Sequence, residues 1–191
     1  MPVFGRSSYH YSGNESYRHI DRLIRRSRVL YIVSPYIDAH YARMLSRQSR
    51  WKKIYVLSSS IAPEARSVLG KSAGREHFLQ YAVYAILVIF NYILYMLNRW
   101  SIYMLLPLAA AIVFFPFYNK ISEAKLYVRK PKSFTHSKMY ISEKEGIEGS
   151  ANLTFAGTHR NIENIEIIKD IQELRRMKTE FWKLWDSSRP A

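Results

Sequence analysis

The sequence lacks cysteine altogether, and its first residues, MPVFGRSSYHYSGNESY, contain no apolar stretch of signal-peptide length. Without thiols, the chain cannot form disulfides, thiolate metal sites or a cysteine nucleophile. Without an apolar leader, we expect any membrane insertion to use an internal segment.

Acidic residues are also scarce, because 15 Asp and Glu stand against 29 Lys and Arg, for a formal net charge of +14. A surface this basic attracts phosphate-rich partners such as nucleic acid or anionic lipid. Charge alone does not distinguish between these partners.

Charged side chains are missing from two adjacent internal runs. The 22 residues between Glu76 and Arg99 have none, and neither do the 20 residues from Trp100 to Asn119. About 20 apolar residues cross a bilayer as a helix. We therefore predict a two-helix transmembrane hairpin over residues 77–119, with a buried hairpin of a soluble core as the alternative. Basic residues flank its open side, which predicts a cytoplasmic location for the remainder of the chain.

The remaining segments, residues 1–76 and 120–191, alternate between helical and strand-like patterns and are predicted to form one α/β domain. The predicted helices are Tyr17–Arg26, Asp38–Gln48 with Asp38 as N-cap, Ala62–Glu76, and an amphipathic C-terminal helix beginning near Ile171. The predicted strands are residues 28–33 and 53–57, which suit a parallel pair, followed by residues 124–128, 138–141, 146–148 and 162–168.

Several reactive side chains fall within one strand-turn-strand unit, HSKMYISEKEGIEGSANLT. His136 and Lys138 are two residues apart and so share one face of a strand. Ser150 and Asn152 follow the next strand, and Glu143 lies between the two. An imidazole, an ammonium, a hydroxyl and an amide around one point suit phosphoryl transfer, in which a nucleophile attacks phosphorus while fixed donors hold its oxygens.

This pattern resembles the phospholipase D superfamily, whose signature is His-x-Lys, four residues, Asp, about six residues, then Gly-Ser with Asn close behind. The chain departs from it in having Glu143 instead of Asp and one residue fewer before Gly149. The stretch from Asn161 to Asn164 matches a further family strand, in which the residue equivalent to Glu163 orients the histidine. The segment RVLYIVSPYID is similar to the family's first strand and turn.

The resemblance implies a mixed sheet flanked by helices and a phosphohistidine intermediate, with no metal or other cofactor. Family active sites use two such motifs, and this chain has one. It is therefore expected to act as a homodimer in which His136 of each copy meets its mate. The predicted catalytic residues are His136, Lys138, Glu143, Ser150, Asn152 and Glu163.

The substrate stays open between two classes. A nuclease is slightly favoured by the basic charge, and a phospholipase D or phosphatidyl transferase is favoured by the predicted anchor in the bilayer. A catalytically degenerate scaffold is the third hypothesis, based on Glu143 and the shortened turn.

Overall fold

The computed structural model describes residues 8–70 and 125–191, together with seven helical positions between residues 85 and 96. Two compact units are distinguished: Met1–Gly70 with Lys125–Ala191, and Lys71–Ala124. The site predicted from sequence lies in the first unit.

The first unit contains eight strands and five helices among its described residues. The strands are β1 Ser8–Gly13, β2 Val29–Ile37, β3 Lys53–Ile61, β4 Leu126–Lys130, β5 Met139–Ile141, β6 Gly146–Gly149, β7 Glu163–Ile168 and β8 Arg189–Pro190. The helices are α1 Tyr17–Arg26, α2 Ala39–Gln48, α3 over residues 63–70, α4 Phe155–His159 and α5 Ile171–Asp186.

The strands form one mixed sheet in the order β1-β7-β6-β5-β2-β3-β4-β8. The β2–β3 and β3–β4 pairs are parallel, and the other neighbours are antiparallel. The fold is therefore α/β, with a mixed sheet flanked by helices, as the sequence predicts.

Apolar side chains cover both faces of the sheet. One face packs against α1, α2 and α3, through residues such as Ile20, Leu45 and Leu69. The other packs against α5 through Met177 and Phe181. Each large apolar side chain that is fully buried contributes about 1.5–3 kcal/mol, so the two layers hold the central strands firmly.

The helix predictions are largely confirmed, because their patterns are regular. Helix α1 has the predicted bounds, and α2 begins after Asp38, whose carboxylate accepts a hydrogen bond from the Tyr41 amide at 3.1 Å. Helix α5 begins at Ile171 as predicted, after the N-cap Asp170.

The strand predictions are less accurate at the ends. Strand β2 continues past Pro35 to Ile37, and β3 continues through three serines to Ile61. Strands β1 and β8 and the short helix α4 are absent from the prediction. The extended ends of β2 and β3 lie beside the candidate site.

The predicted hairpin over residues 77–119 lies outside the described residues, apart from seven helical positions with exposed side chains. These are Ala85, Ile86, Ile89, Phe90, Tyr92, Ile93 and Met96. In the part of the chain that the structure describes, no helix combines the length and apolar character needed to cross a bilayer. The hairpin stays a prediction.

Candidate active site at the ends of the central strands

Three neighbouring strands bring the predicted site residues to one edge of the sheet. Strand β5 begins directly after Lys138, β6 ends at Gly149 and β7 begins at Glu163. Their antiparallel registers align these ends, and the Gly149 amide donates to the Lys138 carbonyl at 3.3 Å. Five of the six predicted site residues therefore converge: His136, Lys138, Ser150, Asn152 and Glu163.

The carboxyl ends of the parallel strands β2 and β3 lie at the same edge. Ligands of α/β proteins commonly bind at such ends. The Ser59 hydroxyl of β3 accepts a hydrogen bond from the Thr135 amide at 3.1 Å. This contact fixes the segment that presents His136.

His136 and Lys138 lie at this edge of the sheet, whose exposed surface we call the rim. The Lys138 ammonium donates to the His136 carbonyl at 2.7 Å, so the cation is held near the histidine. The imidazole itself is exposed and meets the edge of the Phe134 ring, with ring centroids 4.9 Å apart and planes at 72°. A histidine reachable from solvent beside a fixed cation can attack an anionic phosphodiester.

Behind the rim, Ser150 and Glu163 form a polar network. The Ser150 hydroxyl donates to a Glu163 carboxylate oxygen and accepts a hydrogen bond from the Asn164 amide at 3.0 Å. The other carboxylate oxygen accepts from the Asn161 side-chain amide at 3.2 Å. Glu163 is only 7% exposed. In the structure its hydrogen bonds therefore go to Ser150 and Asn161; its predicted orienting of His136 stays a prediction.

Asn152 projects from the loop after β6. Its neighbours are fixed on both sides, because the Tyr140 hydroxyl donates to the Ala151 carbonyl at 2.7 Å and the Leu153 amide donates to Ser34 at 2.9 Å. Burial raises the pKa of Tyr140, so the phenol remains a donor. Among the described residues, Asn152 Oδ1 is the buried side-chain atom that has no hydrogen-bond partner.

Gly149 is required by the close approach of β7. A Cβ atom at this position would lie 2.1 Å from the Asn164 carbonyl oxygen and 2.8 Å from the Ile165 Cα. Both are backbone atoms of a paired strand and cannot move aside cheaply. The glycine of the motif thus permits the strand contact that joins Ser150 to Glu163.

Glu143, the sixth predicted site residue, is not brought to this cluster. It lies in the turn between β5 and β6, at the opposite end of β5 from Lys138. Both carboxylate oxygens accept from the Arg28 amide at 3.1 Å, and Oε2 also accepts from the Val29 amide at 3.5 Å. Burial acts to raise the Glu143 pKa, but the backbone N–H groups of Glu143 itself, Arg28 and Val29, together with the Arg28 charge, outweigh it and hold the pKa below its usual value. The residue anchors the start of β2.

Two exposed aromatic residues lie at the same edge, and sequence reasoning overlooked the first of them, Phe134. Phe134 and Tyr36 are 53% and 46% exposed, and their ring centroids lie 6.0 Å apart. The sequence signal that could have identified Phe134 was its position two residues before His136. The tyrosines, Tyr36 among them, are candidates for stacking on single strands from sequence alone, but the proximity of Tyr36 to Phe134 depends on the extension of β2 to Ile37.

An adjoining groove of about 550 Å³ lies between β1, β6 and β7. It is lined partly by carboxylates, those of Glu148 and Glu166. Burial raises the pKa of Glu148, while Arg176 acts against this. Carboxylates repel a phosphodiester, so we place the chemistry at the exposed rim and not in the groove. Across residues 8–70 and 125–191, no three His, Asp or Glu side chains are grouped to hold a metal ion.

Comparison with protein families identifies the part of the chain that carries the site. Residues 110–185 match the family model described as cardiolipin synthase, PLD-like domain. This stretch includes every residue of the cluster, so the part of the chain that carries the site is similar to a phospholipase D-like domain. No curated protein matches the sequence.

Solved structures show the same fold at low identity. The phospholipase D family member Nuc from Salmonella typhimurium has a TM-score of 0.55 and 11% identity, and the match covers 97% of this chain and 99% of Nuc. NucT from Helicobacter pylori has a TM-score of 0.55 and 13% identity, with the same coverages. Phosphatidylserine synthase from Haemophilus influenzae has a TM-score of 0.51 and 14% identity, with 97% of this chain covered. The match spans only 39% of that synthase.

Proposed function

We propose that this chain is a phosphodiesterase of the phospholipase D superfamily that acts through a phosphohistidine at His136 and favours nucleic acid as substrate. The observation that supports it is the convergence of His136, Lys138, Asn152 and the Ser150–Glu163 pair at one sheet edge. The basic net charge of +14 supplies attraction for a phosphate backbone.

In the proposed first step, an imidazole nitrogen of His136 attacks phosphorus. A P–N bond forms, the P–O bond to the leaving group breaks, and the leaving oxygen takes a proton. Lys138 and Asn152 hold the non-bridging oxygens, which lowers the energy of the crowded, charged transition state. Water then attacks phosphorus and gives a proton to the group that protonated the leaving oxygen, while the P–N bond breaks and restores the free histidine.

The proton for the leaving group requires a second acid. We assign it to His136 of a second copy, because the chain carries one motif and a two-fold interface would bring two identical rims together. Histidine suits this role, since its ordinary pKa of about 6.5 allows both protonation states near neutral pH. A monomeric active enzyme, measured by light scattering in mild detergent, would exclude this arrangement.

A phospholipid substrate is the second candidate. It is favoured by the family model's description and by the similarity to a phosphatidylserine synthase. The uncharged runs of residues 77–119 would hold the domain beside such a substrate if the predicted hairpin spans a bilayer. Against this, the match covers almost all of Nuc and NucT but less than half of that synthase.

The test is turnover of defined substrates by the full-length chain in EDTA. Single-stranded and duplex DNA and RNA are compared with vesicles of neutral and anionic phospholipid, using wild type, His136→Ala and His10→Ala. His10 is an exposed histidine on the outer strand β1 and serves as the control. Cleavage of nucleic acid that is lost only in His136→Ala supports the proposal. Cleavage of phospholipid alone supports the second candidate, the phospholipid substrate. If neither substrate is turned over in a way that depends on His136, both candidates are rejected.

A further inference from the structure

The segment that leads to the site alternates in a way that the proposed chemistry does not require. Every second residue from Lys130 to Lys138 is basic or aromatic, namely Lys130, Lys132, Phe134, His136 and Lys138. The first four are exposed and Lys138 is half-buried. Of the residues between them, Pro131 is buried, Thr135 and Ser137 are half-buried, and Ser133 is exposed. The segment bends at Lys132 and Ser133 and leaves two cations and a ring exposed in the residues that lead to His136.

Phe134 and Tyr36 form an exposed aromatic pair beside that histidine. The Phe134 ring lies between Tyr36 and His136, 6.0 Å from the first and 4.9 Å from the second. About half of each aromatic side chain remains open to solvent, so packing within the fold leaves ring surface available. Such a pair can take a flat, apolar group attached close to the scissile phosphate.

We propose that residues 130–138 form a binding track for single-stranded nucleic acid. The Phe134 ring stacks on a base next to the scissile phosphate, and the Tyr36 ring, tilted by 56° from it, contacts the edge of that base. Lys130 and Lys132 contact neighbouring backbone phosphates. This inference rests on the proposed function and narrows its substrate class. Aromatic rings interleaved with cations are the usual means of holding single strands without sequence preference.

A single strand suits these residues better than a duplex or a lipid surface. Bases in a duplex are already paired and stacked, so their faces are not free for Phe134. A phospholipid headgroup offers the phosphate but no planar group between the lysines and the histidine. The track therefore predicts that binding depends on the ring at position 134 only when an unpaired base is present.

The experiment measures binding of the full-length chain in a His136→Asn background, which prevents turnover. Labelled oligothymidine, a matched duplex, an oligonucleotide with one abasic position and vesicles of anionic phospholipid are the probes. The variants are Phe134→Leu, Phe134→Trp and Tyr36→Leu. The control is Trp51→Leu, because Trp51 is 84% exposed and precedes β3 at the opposite edge of the sheet.

We expect Phe134→Leu to weaken binding of oligothymidine about tenfold, as the loss of one stacked base predicts, and Phe134→Trp to retain it. Trp51→Leu should change it less than about twofold. When the abasic position is moved along the oligonucleotide, Phe134→Leu should no longer weaken binding at one position, the one whose base stacks on Phe134. Lys132→Gln should lower the slope of log affinity against log salt by about 0.7. Lys144→Gln, in the turn at the far end of β5, should leave the slope unchanged.

The inference is overturned if Phe134→Leu binds oligothymidine normally, or if it weakens duplex and vesicle binding equally. It is also overturned if the loss follows dissociation of a dimer, measured by light scattering on the same samples. Failure of the proposed function gives a different result: base-dependent binding at Phe134 would persist while wild type cleaves no nucleic acid. Cleavage that ignores Phe134 rejects the track alone.

Discussion

Replacing Glu143 tests whether this motif residue acts in chemistry or in folding. Its carboxylate accepts hydrogen bonds from the Arg28 and Val29 amides at the start of β2, one strand length from His136. A hydrogen bond to a charged group contributes about 1.5–3 kcal/mol net, and this turn is exposed, so we expect Glu143→Ala to cost about 1–2 kcal/mol. For a chain of this size that lowers Tm by roughly 2–8 °C.

The dependence on pH follows from the direction of the pKa shift. The Glu143 pKa lies below its ordinary value of 4.5 because the backbone amides outweigh the effect of burial. The stabilisation is therefore complete above about pH 4.5 and is lost as the pH falls through the folded-state pKa. Calorimetry should show a Tm gap between wild type and Glu143→Gln at pH 7 that narrows below pH 4.

Turnover by folded Glu143→Gln should stay within about twofold of wild type, because Glu143 lies far from His136. A tenfold loss would require about 1.36 kcal/mol less stabilisation of the transition state. The control is Glu145→Gln, because Glu145 closes the same turn through its carbonyl, which accepts from the Ser142 amide at 2.9 Å. An unchanged Tm together with a hundredfold loss of kcat would refute the anchoring role.

Three further changes probe the site and its support. Gly149→Ala drives a Cβ into the Asn164 carbonyl and should cost about 3 kcal/mol in urea unfolding; a loss below about 0.5 kcal/mol would contradict the contact. Glu163→Gln weakens the hold on Ser150 and should lower kcat at least about tenfold with a smaller change in KM, and an unchanged kcat would show that the pair is dispensable. His159 stacks between Tyr17 and Phe155, and burial lowers its pKa, so the stability of wild type should fall as the pH drops below about 6.5. The fall should be smaller in His159→Phe, where His19, whose pKa burial also lowers, remains; thermal melts at pH 7 and 5.5 would show the difference, and equal falls would contradict it.

The helices whose apolar residues recur at a regular spacing could be predicted from sequence. Helices α1 and α5 place apolar residues at three- and four-residue steps, and α2 is preceded by a carboxylate cap. The parallel pairing of β2 with β3 follows from the helix between them. Helix α4, at five residues, is too short to show a period.

Strand ends near the site escaped prediction because tertiary contacts override local preference there. Ser58, Ser59 and Ser60 have poor strand propensity, yet β3 runs through them because β2 pairs with it as far as Ile61. Pro35 interrupts the strand pattern in the sequence, but β2 passes it and carries Tyr36 to the rim.

The clustering of His136, Lys138, Ser150 and Asn152 could be predicted because they belong to one hairpin, in which register follows from the turn. The role of Glu143 could not, because its partners are about 115 positions away along the chain, at the start of β2.

The order of the strands sets how the site responds to heat. The outermost strands, β1 and β8, have one neighbour each, whereas β5 lies between β6 and β2 in the interior of the sheet. Local opening begins at strands with few buried contacts and reaches the interior only with global unfolding. Amide protons of Met139–Ile141 should therefore exchange last, and the reactive groups keep their spacing until the whole domain melts. Thermal inactivation would then follow either separation of the two copies or global unfolding, and not local opening at the site.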